Sequence, residues 1–334
     1  MSSYVTNNKN ISIQLLRVSA CLMVFMVHFG QRTDLSGILR SFTDFGRYGV
    51  QLFFLISGFL AAKTFIDKPN STVIEYYKKR AIAILPLYYI TIIYYFFTEN
   101  LLNHFKSVIP PDELGVGWLR YIFLLNGFLN SETYFWSNLG ITWTIPIFAT
   151  FYLIAPWILR KAKSIASTTV IWLIIFVTTR LFSLFYSCQN FTYIHIFFLG
   201  AVLYSCTKHN FNKQASVLCL LISIVATIVK KEEYTYTFIF ASIILILVSI
   251  ENLTLPNKLQ KLVNTLDSYS YTLYLMHGII FCSILDRLNQ YFEVSKIIIA
   301  IIAIVGTALA TWIVGKYIEK PIQKYLRNKL LNKD

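Results

Sequence analysis

The chain has 334 residues, of which 56% are hydrophobic and only 14% charged, with a mean hydropathy of +0.58. That balance excludes an ordinary soluble globular domain and reads as an integral membrane protein. The formal charge of +14 would suit nucleic acid, but the cations sit in short segments between apolar runs. This is the positive-inside pattern of a membrane protein, and nucleic acid is not an expected partner.

A bilayer crossing takes roughly 20 apolar residues. On that criterion the sequence predicts an all-α integral membrane protein with about ten transmembrane helices, near 11–30, 48–66, 81–98, 141–158, 165–185, 190–206, 215–229, 235–250, 268–285 and 296–315. Residues 118–129 (WLRYIFLLNGFL) are apolar but too short to span, and read as re-entrant or interfacial. The long segment 99–140, with Pro110, Pro111 and Trp136, reads either as a functional lid-like loop or as a solvated connector anchored by aromatics. The first apolar run is of full length and lacks a signal-peptide cleavage site, so it is expected to remain as a helix. Residues 1–334 read as a single membrane-embedded domain with no appended soluble domain.

Lys and Arg counts orient this scheme. With the N-terminus inside, 18 cations fall in inside segments, nine fall outside, and Arg17, Lys63 and Arg180 lie within spans. The bias predicts that both termini are cytoplasmic. The five cysteines show neither paired nor metal-type spacing and read as small core residues; no metal is expected.

The first helix carries Arg17 and His28 within its apolar run. Eleven residues at about 100° each place them on one face, separated by about 16 Å along the axis. An ionisable group in hydrocarbon costs roughly 2.5–3.5 kcal/mol even on the mildest scale, so such residues usually face a protein-lined cavity. Two on one face point to one cavity reached from both ends. Alternatively, Arg17 snorkels to the near interface and His28 marks the far end of the helix.

Further along, Ser57 and Gly58 lie in GVQLFFLISGF, where Gly58 reads as a helix-packing residue and Ser57 supplies a hydroxyl without a nucleophile-elbow pattern. Lys78, Lys79 and Arg80 end a loop and are followed by Pro86 within the next helix. Such a cluster either binds an anionic ligand at the inner face or acts as a topological signal that attracts anionic lipid. Trp143 and Tyr152 lie in WTIPIFATFY, and His277 follows YTLYLM inside a membrane helix, where a partner or cavity is expected. His195, near the start of its helix, reads as interfacial. Arg180 needs a partner that the sequence does not identify.

Together these segments resemble the integral-membrane acyltransferase 3 family, which includes O-acetylases of bacterial surface polysaccharides. The resemblance rests on Arg17 and His28 with ten residues between them, and on Gly49-Val50 followed by Phe53-Phe54-Leu55-Ile56-Ser57-Gly58-Phe59. Lys79-Arg80 with Pro86 and Tyr88, Phe198-Leu199-Gly200, Ser270-Tyr271 with Leu273-Tyr274-Leu275 and His277, and Glu319-Lys320-Pro321 follow in order. Two positions depart from the family pattern. Ala83 stands where many members have a second arginine, and Phe148 stands where many have an acidic residue.

The resemblance implies transfer of an acyl group, most often acetyl from cytoplasmic acetyl-CoA, to a hydroxyl of a glycan or lipid-linked glycan such as O-antigen, at the bacterial inner membrane. Arg17, Lys78, Lys79 and Arg80 are the expected CoA-binding residues. His28 is the expected catalytic residue, as general base or transient acyl acceptor, with Ser57, Trp143, Tyr152 and His277 in support. Asp44 and Asp267 are proton-relay candidates for His28 by chemical type alone. The same helices and cavity-facing charges would also serve a transporter or flippase of a lipid-linked saccharide, although no paired interrupted helices point to one. A longer or succinyl donor is a third possibility.

Overall fold

In lipid a chain must satisfy its own backbone hydrogen bonds, and the apolar runs do so as helices. The computed structural model describes residues 11–33, 35–68, 70–104, 119–128, 139–186, 188–250, 253–282 and 296–331. Pro110, Pro111, Trp136 and the expected ninth span beyond Cys282 lie outside the described residues.

The elements in order are α1 (Ile11–Arg32), α2 (Gly37–Asp44), a 3-10 turn (Phe45–Tyr48), α3 (Gly49–Asp67) and α4 (Val73–His104). Two 3-10 turns (Asn126–Phe128 and Leu139–Trp143) precede α5 (Thr144–Leu159) and α6 (Ile165–Phe185). Then come α7 (Gln189–Lys208), α8 (Asn212–Ile228), α9 (Glu232–Ser249) and α10 (Asn257–Met276), the last continuing as a π-helical turn, His277–Cys282. The chain closes with α11 (Lys296–Val314), a π-helical turn (Gly315–Glu319) and α12 (Lys320–Leu330).

Eight of the described helical stretches are long and apolar enough to cross a membrane. Of the other two expected spans, one lies in α8 and the other, 268–285, runs past Cys282 out of the described residues. α8 is apolar but shorter than a span, and α10 begins at Asn257, well before the expected 268, with a polar first half. α4 also starts early, at Val73, so Lys78, Lys79 and Arg80 ride on a helix instead of ending a loop. The short α2 has no counterpart in the expected scheme.

The chain divides into two compact units. The first comprises Met1–Lys63, Ala162–Trp172 and Ile196–Ser270; the second comprises Thr64–Lys161, Leu173–His195 and Tyr271–Asp334.

In the first unit, glycines let backbones meet. A Cβ on Gly58 would collide with the Phe197 carbonyl of α7, and one on Gly200 would collide with the Leu55 carbonyl of α3. Two small residues facing each other give the close crossing expected of membrane helices, as read for Gly58. The aromatic pair Phe54–Phe197 stacks beside it, centroids 4.6 Å apart. Polar bonds tie the other helices. Ser12 donates to the Leu247 carbonyl (2.8 Å), Thr237 donates to Gln51 Oε1 (2.7 Å), and the Ser216 and Ser242 hydroxyls bond across α8 and α9 (2.6 Å).

In the second unit an apolar core gathers Leu87, Tyr88, Ile92 and Tyr95 of α4 with Tyr121, Ile145, Leu275, Met276 and Ile279. Residues 119–128, which read as too short to span, are pinned by tyrosine hydroxyls that donate to their backbone. Tyr88 donates to the Tyr121 carbonyl (2.8 Å), Tyr89 to Ile122 (2.9 Å) and Tyr186 to Phe128 (2.7 Å). Side-chain donors thus take up carbonyls at the end of a short helical turn (119–122) and in the 3-10 turn that follows it. All five cysteines are free and buried, as a core role requires.

Candidate active site

The first unit holds the Arg17–His28 helix. Arg17 Nη2 lies 2.7 Å from the Asp267 carboxylate of α10, and Gln14 Nε2 donates to the same carboxylate at 3.3 Å. The Asp267 side chain is 1% exposed whereas Arg17 is 32% exposed. The buried carboxylate is therefore neutralised in place, and the guanidinium, held through Nη2, remains partly exposed. Gln14 lies one helical turn before Arg17, and both reach the same acceptor because residues three apart share a helix face.

His28 is half-buried, and its Nδ1 lies 3.1 Å from Gln31 Oε1, again three residues on. An amide oxygen only accepts, so with Gln31 Oε1 facing the ring this contact matches the tautomer that carries its proton on Nδ1. Asp44 is engaged by Arg40 at 3.0 Å and by Arg47 at 3.7 Å. The two aspartates named by chemical type are thus arginine partners. Ser57 is half-buried on α3, directly before the Gly58 crossing.

The second unit sorts the three consecutive cations into separate surroundings, since successive helical residues point about 100° apart. Lys79 Nζ pairs with Glu75 at 2.5 Å, both well exposed, and Lys78 Nζ donates to the Leu330 carbonyl of α12 at 3.0 Å. Arg80 instead lies over two aromatic rings, with its guanidinium carbon 5.2 Å from the Tyr76 centroid and 4.8 Å from that of Tyr152. The rings stabilise the cation without neutralising it, and the Tyr76 side chain also takes a hydrogen bond from it. Tyr152 was a candidate from sequence, and the structure brings it to Arg80. Tyr76 was not; its signal is the spacing of four residues before Arg80.

His277 is 2% exposed and opens the π-helical turn, 5.6 Å ring to ring from Tyr274. Tyr274 donates to the Ile141 carbonyl and lies 2.7 Å from the Thr144 hydroxyl. Its single proton is spent on Ile141, so Thr144 is the donor to Tyr274. Trp143, the residue before Thr144, packs against Tyr193 at 5.3 Å. His195 proves buried, 2% exposed and 5.1 Å from the Phe176 ring, instead of interfacial. Arg180 finds its partner in the Thr192 carbonyl (3.2 Å).

Sequence reasoning passed over one buried carboxylate network. Glu319 is 7% exposed, accepts from Thr272 and from Gln323 Nε2 (3.0 Å), and Gln323 Nε2 also donates to the Ala83 carbonyl (3.3 Å). Together with the Lys78–Leu330 bond, this ties α12 to the basic end of α4. The chain matches a family model described as an acyltransferase domain over residues 10–316. No curated protein and no solved structure gives a match.

Proposed function

Since the chain belongs to the acyltransferase 3 family, as the match over residues 10–316 shows, we propose that this membrane acyltransferase moves an acetyl group from acetyl-CoA to a sugar hydroxyl of a surface polysaccharide such as O-antigen. The observation that carries the catalytic assignment is the His28–Gln31 contact at 3.1 Å, which is compatible with Nε2 as the basic nitrogen.

In this reading Nε2 of His28 takes the proton of the acceptor hydroxyl as its oxygen attacks the thioester carbonyl. A new C–O ester bond forms. The C–S bond breaks as the tetrahedral intermediate collapses, and the imidazolium returns the proton to the departing sulfur. Products are the acetyl ester and CoA with a free thiol. Arg17 of the first unit and Arg80 of the second are each assigned to donor phosphates by charge and donor geometry. Lys78 and Lys79, with backbone and carboxylate partners, add long-range attraction. Trp143, Tyr152, His277 and Ser57 are assigned supporting roles. The donor side is assigned to the cytoplasm and both termini with it, on the Lys and Arg bias, in a bacterial inner membrane.

The test is the O-acetyl content of the producing cell's surface polysaccharide by NMR, in wild type, a deletion, His28→Ala and Arg17→Ala. Acetyl signals should vanish in the deletion and in His28→Ala while polymer and protein levels hold. Full acetylation by His28→Ala would remove His28 from the chemistry. Polymer lost from the surface with its acetyl groups retained would point to saccharide transport instead.

A further inference from the structure

The segment 119–128 and the first turn of α7 enclose buried amides that the roles above leave unused. Asn126 is 0% exposed, and neither its Oδ1 nor its Nδ2 has a hydrogen-bond partner among the described residues. Asn190 is 1% exposed; its Nδ2 donates to Thr150 Oγ1 at 3.1 Å, and its Oδ1 has no partner among the described residues. Thr150 in turn donates to the Pro146 carbonyl (2.8 Å), so the orientation of Asn190 is fixed.

These groups are neighbours. A Cβ on Gly127 would lie 2.8 Å from Asn190 Oδ1 and 2.9 Å from Pro146 Cβ, so the residue beside Asn126 is packed on both. A buried amide without partners costs roughly 1–3 kcal/mol, a penalty that calls for a partner, either buried water or a ligand. Three residues away in sequence stand aromatic rings: Trp143, which ends the 3-10 turn, precedes Pro146 by three residues, and Tyr193 of α7 follows Asn190 by three. These two rings are half-buried, with centroids 5.3 Å apart at 47°.

Donors, acceptors and aromatic faces within one cluster fit a polyol better than an anion or a purely apolar ligand. A hydroxyl both donates and accepts, and the C–H face of a pyranose packs on an indole or phenol ring. We infer that Asn126 and Asn190, with Trp143 and Tyr193 beside them, form a subsite for a sugar ring of the acceptor. Asn126 Nδ2 donates to a sugar hydroxyl, and Asn126 or Asn190 Oδ1 accepts from one. The tyrosine bonds to Tyr121, Ile122 and Phe128 preorganise the segment that carries Asn126. The inference rests on the acyl-transfer reading for its choice of ligand, but it concerns binding alone.

The experiment uses the full chain in nanodiscs, with polysaccharide isolated from a strain deleted for this gene as the probe. Binding is read by calorimetry, and transfer by radiolabel from acetyl-CoA. Asn126→Leu and Asn190→Leu should each weaken polysaccharide binding at least tenfold and leave the KM for acetyl-CoA unchanged. If the amides hold only buried water, Asn126→Leu raises thermal stability and binding stays at the wild-type level, which overturns the subsite. Absence of binding by the wild-type chain overturns it too. Where a leucine variant fails to fold, Asn126→Ser and Asn190→Ser give the same reading. Wild type that binds polysaccharide but transfers no acetyl, with binding lost in the variants, leaves the subsite standing and defeats the acetyl-transfer reading. Wild type that transfers acetyl, with variants that bind normally, does the reverse.

Discussion

Asp267 holds Arg17 by one edge, 2.7 Å from Nη2, across 250 residues of sequence, with the carboxylate 1% exposed and the guanidinium 32% exposed. The asymmetry fixes how each partner fails. Asp267→Leu leaves a cation that is only partly buried and can reorient, at a smaller cost than the loss of Arg17. Arg17→Met leaves an unpaired buried carboxylate, at a cost of about 3–5 kcal/mol.

The double variant Arg17→Met with Asp267→Leu removes both charges and should recover most of the lost stability, as expected when a buried ion pair is replaced by apolar side chains. If Arg17 binds the donor, the double variant folds well yet shows a raised KM for acetyl-CoA. Unfolding in micelles and donor kinetics on all three variants separate the two effects. A stable double variant with wild-type donor KM would reduce Arg17 to a structural residue.

Arg80 leads to a different expectation, because its partners are rings and not charges. Arg80→Lys keeps the charge but loses the planar donor fork, so donor affinity should fall about tenfold. Tyr152→Phe keeps the ring and should be nearly neutral, while Tyr152→Ala removes one face of the support and should cost about 0.5–1 kcal/mol in donor binding. A titration of the purified chain with CoA reads all three. Equal losses in Tyr152→Phe and Tyr152→Ala would show that the hydroxyl, and not the ring face, matters.

The residues that were legible in sequence share a cause. Arg17, His28 and Gly58 stand out because apolar runs make foreign residues visible, and the helical period then gives their faces. Asp267 escaped assignment because its role depends on a partner 250 residues away. The polar first half of α10 and the basic start of α4 escaped for another reason. Hydropathy detects the part of a helix that contacts lipid, and these helices continue beyond it. His195 misled because proximity to a helix start says nothing of what packs around it. Asn126 carried a weak signal: an Asn-Gly pair inside an apolar stretch too short to span.

The turn between α8 and α9 makes the last prediction, one that touches stability alone. Lys230 has φ +55, with its N–H bonded to the Thr227 carbonyl (3.0 Å) and the Lys231 N–H bonded to Ala226 (2.8 Å). This is the left-handed helix end that normally takes glycine. Asn210 fills the equivalent place after α7, at φ +58, with Phe211 bonded to Cys206 (2.8 Å). A β-carbon costs roughly 1–2 kcal/mol in that region, least for asparagine. Lys230 is exposed and contributes no packing that would offset this. Lys230→Gly should therefore stabilise the chain by about 1 kcal/mol, Lys230→Asn by less, and Asn210→Gly hardly at all. Thermal unfolding of the purified protein gives the order, and a loss of stability in Lys230→Gly would show that the lysine side chain serves the turn in another way.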